Sequence, residues 1–91
     1  MEFEWDENKN RINIEKHHVS FPRAAKIFNG DVLEWEDTRR DYGETRIIAI
    51  GHAERRCLRV VYTRRGNKIR IISARRANKD DRQKYYNAFL R

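Results

Sequence analysis

Arg64, Arg65, Lys68, Arg70, Arg75 and Arg76 form a basic run with no acid among them. Guanidinium groups make directional, bidentate bonds to phosphate oxygens, so this residue type at this density suits a polyphosphate partner. The run is part of a longer one: between Arg55 and Lys79 there are ten basic residues and no acidic one, against 21 Lys+Arg and 14 Asp+Glu in the whole chain. The net charge of +7 therefore originates in this stretch. Neutralising several phosphates also releases condensed counterions, which drives affinity. Nucleic acid is the first partner the sequence suggests.

Proton transfer would need a second kind of residue. His17 is a candidate, because an imidazole titrating near neutrality can take a proton from a 2′-hydroxyl or give one to a leaving group. Lys16 stands beside it, and Tyr62 can orient or stack a base. Glu34 and Glu36 flank Trp35; either can act as a base, although alternation around Trp35 reads first as a solvated strand face. Lys16-His17 has a plainer reading too, as cationic groups that complement the C-terminal end of a helix dipole. His18 reads as the residue that ends that helix in the left-handed region. The basic run also has a competing reading: a solvated face, or a surface for an acidic protein. Trp5, Phe21, Phe28 and Trp35 read as core.

Several function classes lose support. Cys57 is the only cysteine, so no internal disulfide is expected, and three scattered histidines do not make metal-ligand spacing. Neither a metal nor another cofactor is expected. Glycine-rich phosphate loops and nucleophile elbows are absent. No apolar run approaches a membrane span, and the start Met1-Glu2-Phe3-Glu4 is unlike a signal peptide. A soluble cytoplasmic protein without membrane contact is expected.

The elements that must hold these residues follow from patterning. Ninety-one residues, 38% hydrophobic and 38% charged, make a single domain over 1–91 with one modest core. Glu2 to Trp5 alternates as a short strand. Asp6 caps a helix over Glu7 to His17, and Ser20 caps a second, with Pro22 in its first turn. In that second helix Phe21, Ala24, Ala25 and Phe28 form an apolar stripe, and Asn29-Gly30 stops it. Strands are predicted over Val32 to Glu36, Arg46 to Ile50 ending at Gly51, Arg56 to Thr63 and Lys68 to Ser73. A polar loop from Thr38 to Glu44 separates the first two, and Arg65-Gly66-Asn67 turns between the last two. Asn78 caps a last helix with Asp80 and Asp81 in its first turn. The expected fold is an α+β domain of order β-α-α-β-β-β-β-α, its mostly antiparallel sheet packed by helices.

Four stretches, in this order, carry a family resemblance. They are Phe3-Glu4-Trp5-Asp6; Lys16-His17 with Val19-Ser20-Phe21; Val60-Val61-Tyr62-Thr63 with Arg65-Gly66; and Arg70-Ile71-Ile72-Ser73-Ala74-Arg75. Together they resemble the BrnT toxins from Phe3 to about Tyr85. The sequence departs from that pattern in carrying His18 where Gly is common and Asn78 where Thr is expected.

The resemblance implies a small RelE-like fold and the toxin half of a bacterial type II toxin–antitoxin pair. It implies endonucleolytic RNA cleavage that blocks translation and growth. It further implies a BrnA-like DNA-binding antitoxin in a tight hetero-oligomer, with operator DNA reached only through that antitoxin. The mechanism that fits is metal-independent: the 2′-hydroxyl attacks its own 3′-phosphate, leaving a 2′,3′-cyclic phosphate and a 5′-hydroxyl. Such chemistry asks for positioning and charge stabilisation. On that basis Arg64 and Arg75 are expected to clamp the phosphate, with Lys16 or His17 moving the proton and Tyr62 orienting a base. Arg65, Lys68, Arg70 and Arg76 are expected to contact RNA. The alternative is a non-catalytic basic module that binds nucleic acid or an acidic protein.

Overall fold

Caps written in the sequence start each helix where the residue types allow it. The computed structural model describes residues 1–90 and opens with strand β1 (Glu2–Glu4) and helix α1 (Glu7–His17). Asp6 accepts the Lys9 N–H at 3.1 Å, and His18 closes α1 at φ 57°, the left-handed position expected for it. Helix α2 (Phe21–Ala25) is capped by Ser20, which accepts the Arg23 N–H at 3.2 Å. It tightens after five residues into a 3₁₀ turn, Lys26–Asn29, that the apolar stripe did not reveal. Strands β2 (Leu33–Glu36), β3 (Ile47–Ala53), β4 (Arg56–Arg65) and β5 (Lys68–Arg76) follow, and helix α3 (Lys79–Phe89) closes the fold. Asn78 and Asp81 cap α3 reciprocally: Asn78 accepts the Asp81 N–H at 2.8 Å, and Asp81 accepts the Asn78 N–H at 3.2 Å.

The strands form one five-stranded sheet in the order β1-β5-β4-β3-β2. β1 runs parallel to β5, with Phe3 opposite Ile69, while the other three pairings are antiparallel. The sheet is therefore mixed, the parallel β1–β5 pairing being the part that the expectation of a mostly antiparallel sheet did not specify. Alternation in a three-residue strand fixes which face is buried but carries no information about strand direction.

The largest strand-boundary differences from the sequence reading are at the ends of β3 and β5. Gly51 does not end β3. It pairs with Leu58 in mid-strand, and its bare Cα faces the 3₁₀ turn, where a Cβ would lie 3.0 Å from the Ile27 Cβ. β5 continues to Arg76, and a bulge between the Val61–Ser73 and Tyr62–Ile71 pairs leaves Ile72 without a partner.

Helices cover both faces. On one, α1 and α2 lie over a core that includes Val19, Phe21, Ile27, Leu58, Val60, Tyr62, Ile69 and Ile71. On the other, α3 packs Tyr85 against Ile48 and Ile50. α1 meets the sheet through asparagines rather than isoleucines: Asn10 and Asn13 are buried, while Ile12 and Ile14 are exposed. Asn13 donates to the Val19 and Ala74 carbonyls at 2.8 and 2.7 Å and accepts the Ala74 N–H at 3.2 Å. β1 covers the β5 edge only at Lys68–Arg70, so Asn13 satisfies backbone groups further along that no strand reaches.

Candidate functional site

The face of β4 that carries Leu58, Val60 and Tyr62 ends in an open cleft at the β4–β5 turn. Tyr62 is 1% exposed, and its ring stands edge-on to Phe28 at 5.3 Å. Its hydroxyl reaches past β3 and donates to Glu34 Oε1 at 2.8 Å. The Arg64 guanidinium sits over the same ring, 5.9 Å from its centre. Glu34, Tyr62, Thr63, Arg64 and Arg65 line a cleft of about 500 Å³. Burial, and then the bond to Glu34, push the Tyr62 phenol up to about 12, with Arg64 opposing. Tyr62 is therefore a protonated donor at neutral pH.

Arg64 makes no ion pair among the described residues, whereas Arg65 shares Glu44 with Arg46, each at 3.5 Å. The cleft thus combines a carboxylate fixed by a phenol with an arginine whose donors are free of any carboxylate. A proton acceptor beside an anion-binding cation is the chemistry this arrangement offers.

Arg75 is not in this cleft. An unbroken period of two along β5 would place it on the face of Ile69 and Ile71, with Tyr62 and Arg64. The bulge at Ile72 resets the alternation, so Arg75 pairs with Arg59 on the α3 face. There Arg59 binds Asp81 at 2.8 Å and Arg75 approaches it at 3.9 Å. Both line a separate cleft of about 330 Å³ with Trp35 and Lys84. The structure thus separates the two arginines expected to form one clamp.

The remaining expected residues scatter. Arg70 binds Glu4 at 2.8 Å, and Lys68 approaches the same carboxylate at 3.9 Å, so both are partly neutralised. Arg76 lies at the far end of β5, opposite Leu58. Lys16 and His17 are exposed on the last turn of α1 and line neither cleft.

Glu34 is the residue whose place the sequence did not disclose. Alternation around Trp35 put Glu34 on the opposite face from Trp35. Only the pairing of β2 with β3 and of β3 with β4 shows that this face also carries Tyr62. Asp81 was legible as a first-turn carboxylate of the last helix but not as the buried partner of Arg59. Among the described residues no group of three His, Cys, Asp or Glu could hold a metal ion, and no helix is long and apolar enough to cross a membrane.

Comparison with curated proteins gives no match. Comparison with protein families matches residues 5–81 to ribonuclease toxin, BrnT, of type II toxin–antitoxin system. That span holds α1, α2, strands β2 to β5 and the start of α3, and with them every residue that lines the cleft of Glu34, Tyr62 and Arg64. On this evidence the chain belongs to the BrnT family of type II toxin–antitoxin ribonuclease toxins.

Proposed function

We propose that the chain is a metal-independent endoribonuclease and that its reaction takes place in the cleft of Glu34, Tyr62 and Arg64. The observation that carries this reading is the 2.8 Å bond from the Tyr62 hydroxyl to Glu34, beside an arginine with no carboxylate partner. In the proposed reaction the RNA 2′-hydroxyl attacks its own 3′-phosphate and gives its proton to Glu34. The P–O5′ bond breaks, the departing 5′-oxygen takes a proton from water, and a 2′,3′-cyclic phosphate remains. Arg64 binds the non-bridging oxygens as charge accumulates on them, and Tyr62 holds the Glu34 carboxylate in place. Lys16 and His17 receive no proton-transfer role here, because neither lines the cleft. Arg65, at the cleft wall, contacts the flanking backbone.

The family supports an antitoxin partner and an RNA substrate. The finer reading is a RelE-like toxin of the bacterial cytoplasm, neutralised in a tight hetero-oligomer by a BrnA-like antitoxin that alone reaches operator DNA. Acidic antitoxin side chains would compete with RNA for Arg64.

The test is incubation of the purified chain with a defined RNA in EDTA, followed by mapping of the product ends. Cleavage leaving cyclic phosphate is expected, and Arg64→Ala should slow it by about 100-fold or more, as loss of a preorganised charge-stabilising donor does. Full cleavage by Arg64→Ala, with its circular dichroism unchanged, would end the proposal.

A further inference from the structure

Arg56, Arg76 and Arg82 converge on one concavity of about 250 Å³, floored by Cys57 and Ala77. Arg56 opens β4, Arg76 closes β5, and Arg82 comes from the first turns of α3. None of the three makes an ion pair among the described residues. The neighbouring carboxylates are committed to other cations. Glu54 takes Lys26 at 2.7 Å and Arg23 at 3.6 Å, and Asp81 takes Arg59 at 2.8 Å.

Most arginines elsewhere on the sheet, such as Arg59, Arg65, Arg70 and Arg75, have a carboxylate beside them. The charge of Arg56 reaches Glu54, but no carboxylate is in ion-pair contact with any of the three guanidiniums, which repel each other until an anion joins them. The group is also partly preorganised: Arg82 Nη1 donates to the Ala77 carbonyl at 2.8 Å, which fixes that guanidinium and leaves its other donors free. A second hollow shares Cys57 and Arg82 and adds Lys79 and the half-exposed ring of Tyr86. A cationic hollow beside an exposed aromatic ring fits a nucleotide, whose phosphate and base take the two parts separately.

Arg56 and Arg64 stand at opposite ends of β4, eight residues apart and so roughly 26 Å along the strand. We propose that Arg56, Arg76 and Arg82 form a second phosphate-binding site, which grips the RNA backbone several nucleotides from the scissile bond while Tyr86 stacks a base. The proposal rests on the ribonuclease reading for its ligand but not on the catalytic residues. The second site would favour long substrates over short ones, because a strand held at both ends of β4 dissociates only when both contacts break.

The test uses a labelled single-stranded oligonucleotide of about 12 nucleotides, within the reach of small single-strand-binding domains. It carries 2′-deoxyribose, so it cannot be cleaved, and binding is followed by fluorescence anisotropy across a salt series. In Arg56→Gln/Arg76→Gln/Arg82→Gln the dissociation constant should rise about tenfold. The slope of log K against log salt should fall by roughly 2, as loss of three single-strand phosphate contacts implies. A charge-matched control, Lys9→Gln/Arg11→Gln/Arg40→Gln, should move the slope less than half as far. If the triple variant does not fold, Arg82→Gln alone should lower the slope by about a third as much.

Equal effects in the control, or an unchanged slope in the variant, overturn the site. So does a variant that loses affinity for its antitoxin while holding the oligonucleotide as before, which would make the hollow a protein-docking surface. Absent cleavage of ordinary RNA, with the binding contrast intact, would overturn the ribonuclease reading alone.

Discussion

The Tyr62 hydroxyl donates to Glu34 Oε1 at 2.8 Å across the width of β3, joining residues 28 positions apart. The ring behind that hydroxyl is held edge-on by Phe28 at 5.3 Å, so the phenol has little freedom to leave. Tyr62→Phe keeps the ring and removes only the bond. Unfolding stability should drop by about 1 kcal/mol, and RNA cleavage at saturating substrate should slow by about tenfold to a hundredfold. Urea unfolding and single-turnover cleavage read the two separately. An unchanged cleavage rate would remove the hydroxyl from the reaction.

Arg59 and Arg75 share Asp81 unequally, at 2.8 and 3.9 Å. The Asp81 side chain is 2% exposed and that of Arg59 14%, so removing Arg59 strands a buried carboxylate. Arg59→Ala should cost about 3 kcal/mol or more. The Arg75 side chain is 39% exposed and its contact is long, so Arg75→Ala should cost less than about 1 kcal/mol and leave cleavage within about tenfold of the wild type. Denaturant midpoints check the ranking; equal costs would mean that the two arginines hold Asp81 evenly, against the unequal distances.

Asp37 lies in the loop between β2 and β3 with its side chain 2% exposed. Hydrogen bonds from the Arg39 guanidinium, both at 2.8 Å, hold its carboxyl well below the usual carboxylate range; the Arg39 N–H and the Tyr42 hydroxyl add to this, and burial opposes it. A folded-state value below the unfolded one means that the unfolded chain takes up the proton more readily. The contribution of Asp37 is therefore fully present above the unfolded value near 3.8 and lost as pH falls through the lower folded value. Stability measured from about pH 7 down to pH 2 should decline on its acid side. Asp37→Asn should flatten that decline, and an identical acid limb in the variant would remove Asp37 as its source.

Gly51 sits where the 3₁₀ turn presses on β3. An added methyl would lie 3.0 Å from the Ile27 Cβ and 3.4 Å from the Asp31 carbonyl oxygen. Neither neighbour is the end of a flexible chain, so Gly51→Ala should destabilise by about 1–3 kcal/mol. A melting temperature equal to that of the wild type would show that the turn yields without cost.

Local chemistry made much of the frame legible. Asp6, Ser20 and Asn78 each cap a helix with the side chain their type provides, and His18 takes the left-handed position, because capping involves neighbours three or four residues away. Gly51 misled for the opposite reason. Its meaning lies in a contact with Ile27, 24 positions earlier, which no local pattern records. Asn13 likewise carries no local sign of Ala74, the backbone partner it meets 61 positions later.

By itself the sequence determined the charge, the helix starts, the strands and the likeness to BrnT toxins, all of which reside in composition or in short spacings. The tertiary structure alone decided which charges meet. A single unpaired residue in β5, Ile72, moves Arg75 to the other face of the sheet, and two strand registers bring Glu34 to Tyr62. Side chains alternate with a period of two, so one bulge exchanges the faces of every residue beyond it, and nothing in the residue types announces where it falls.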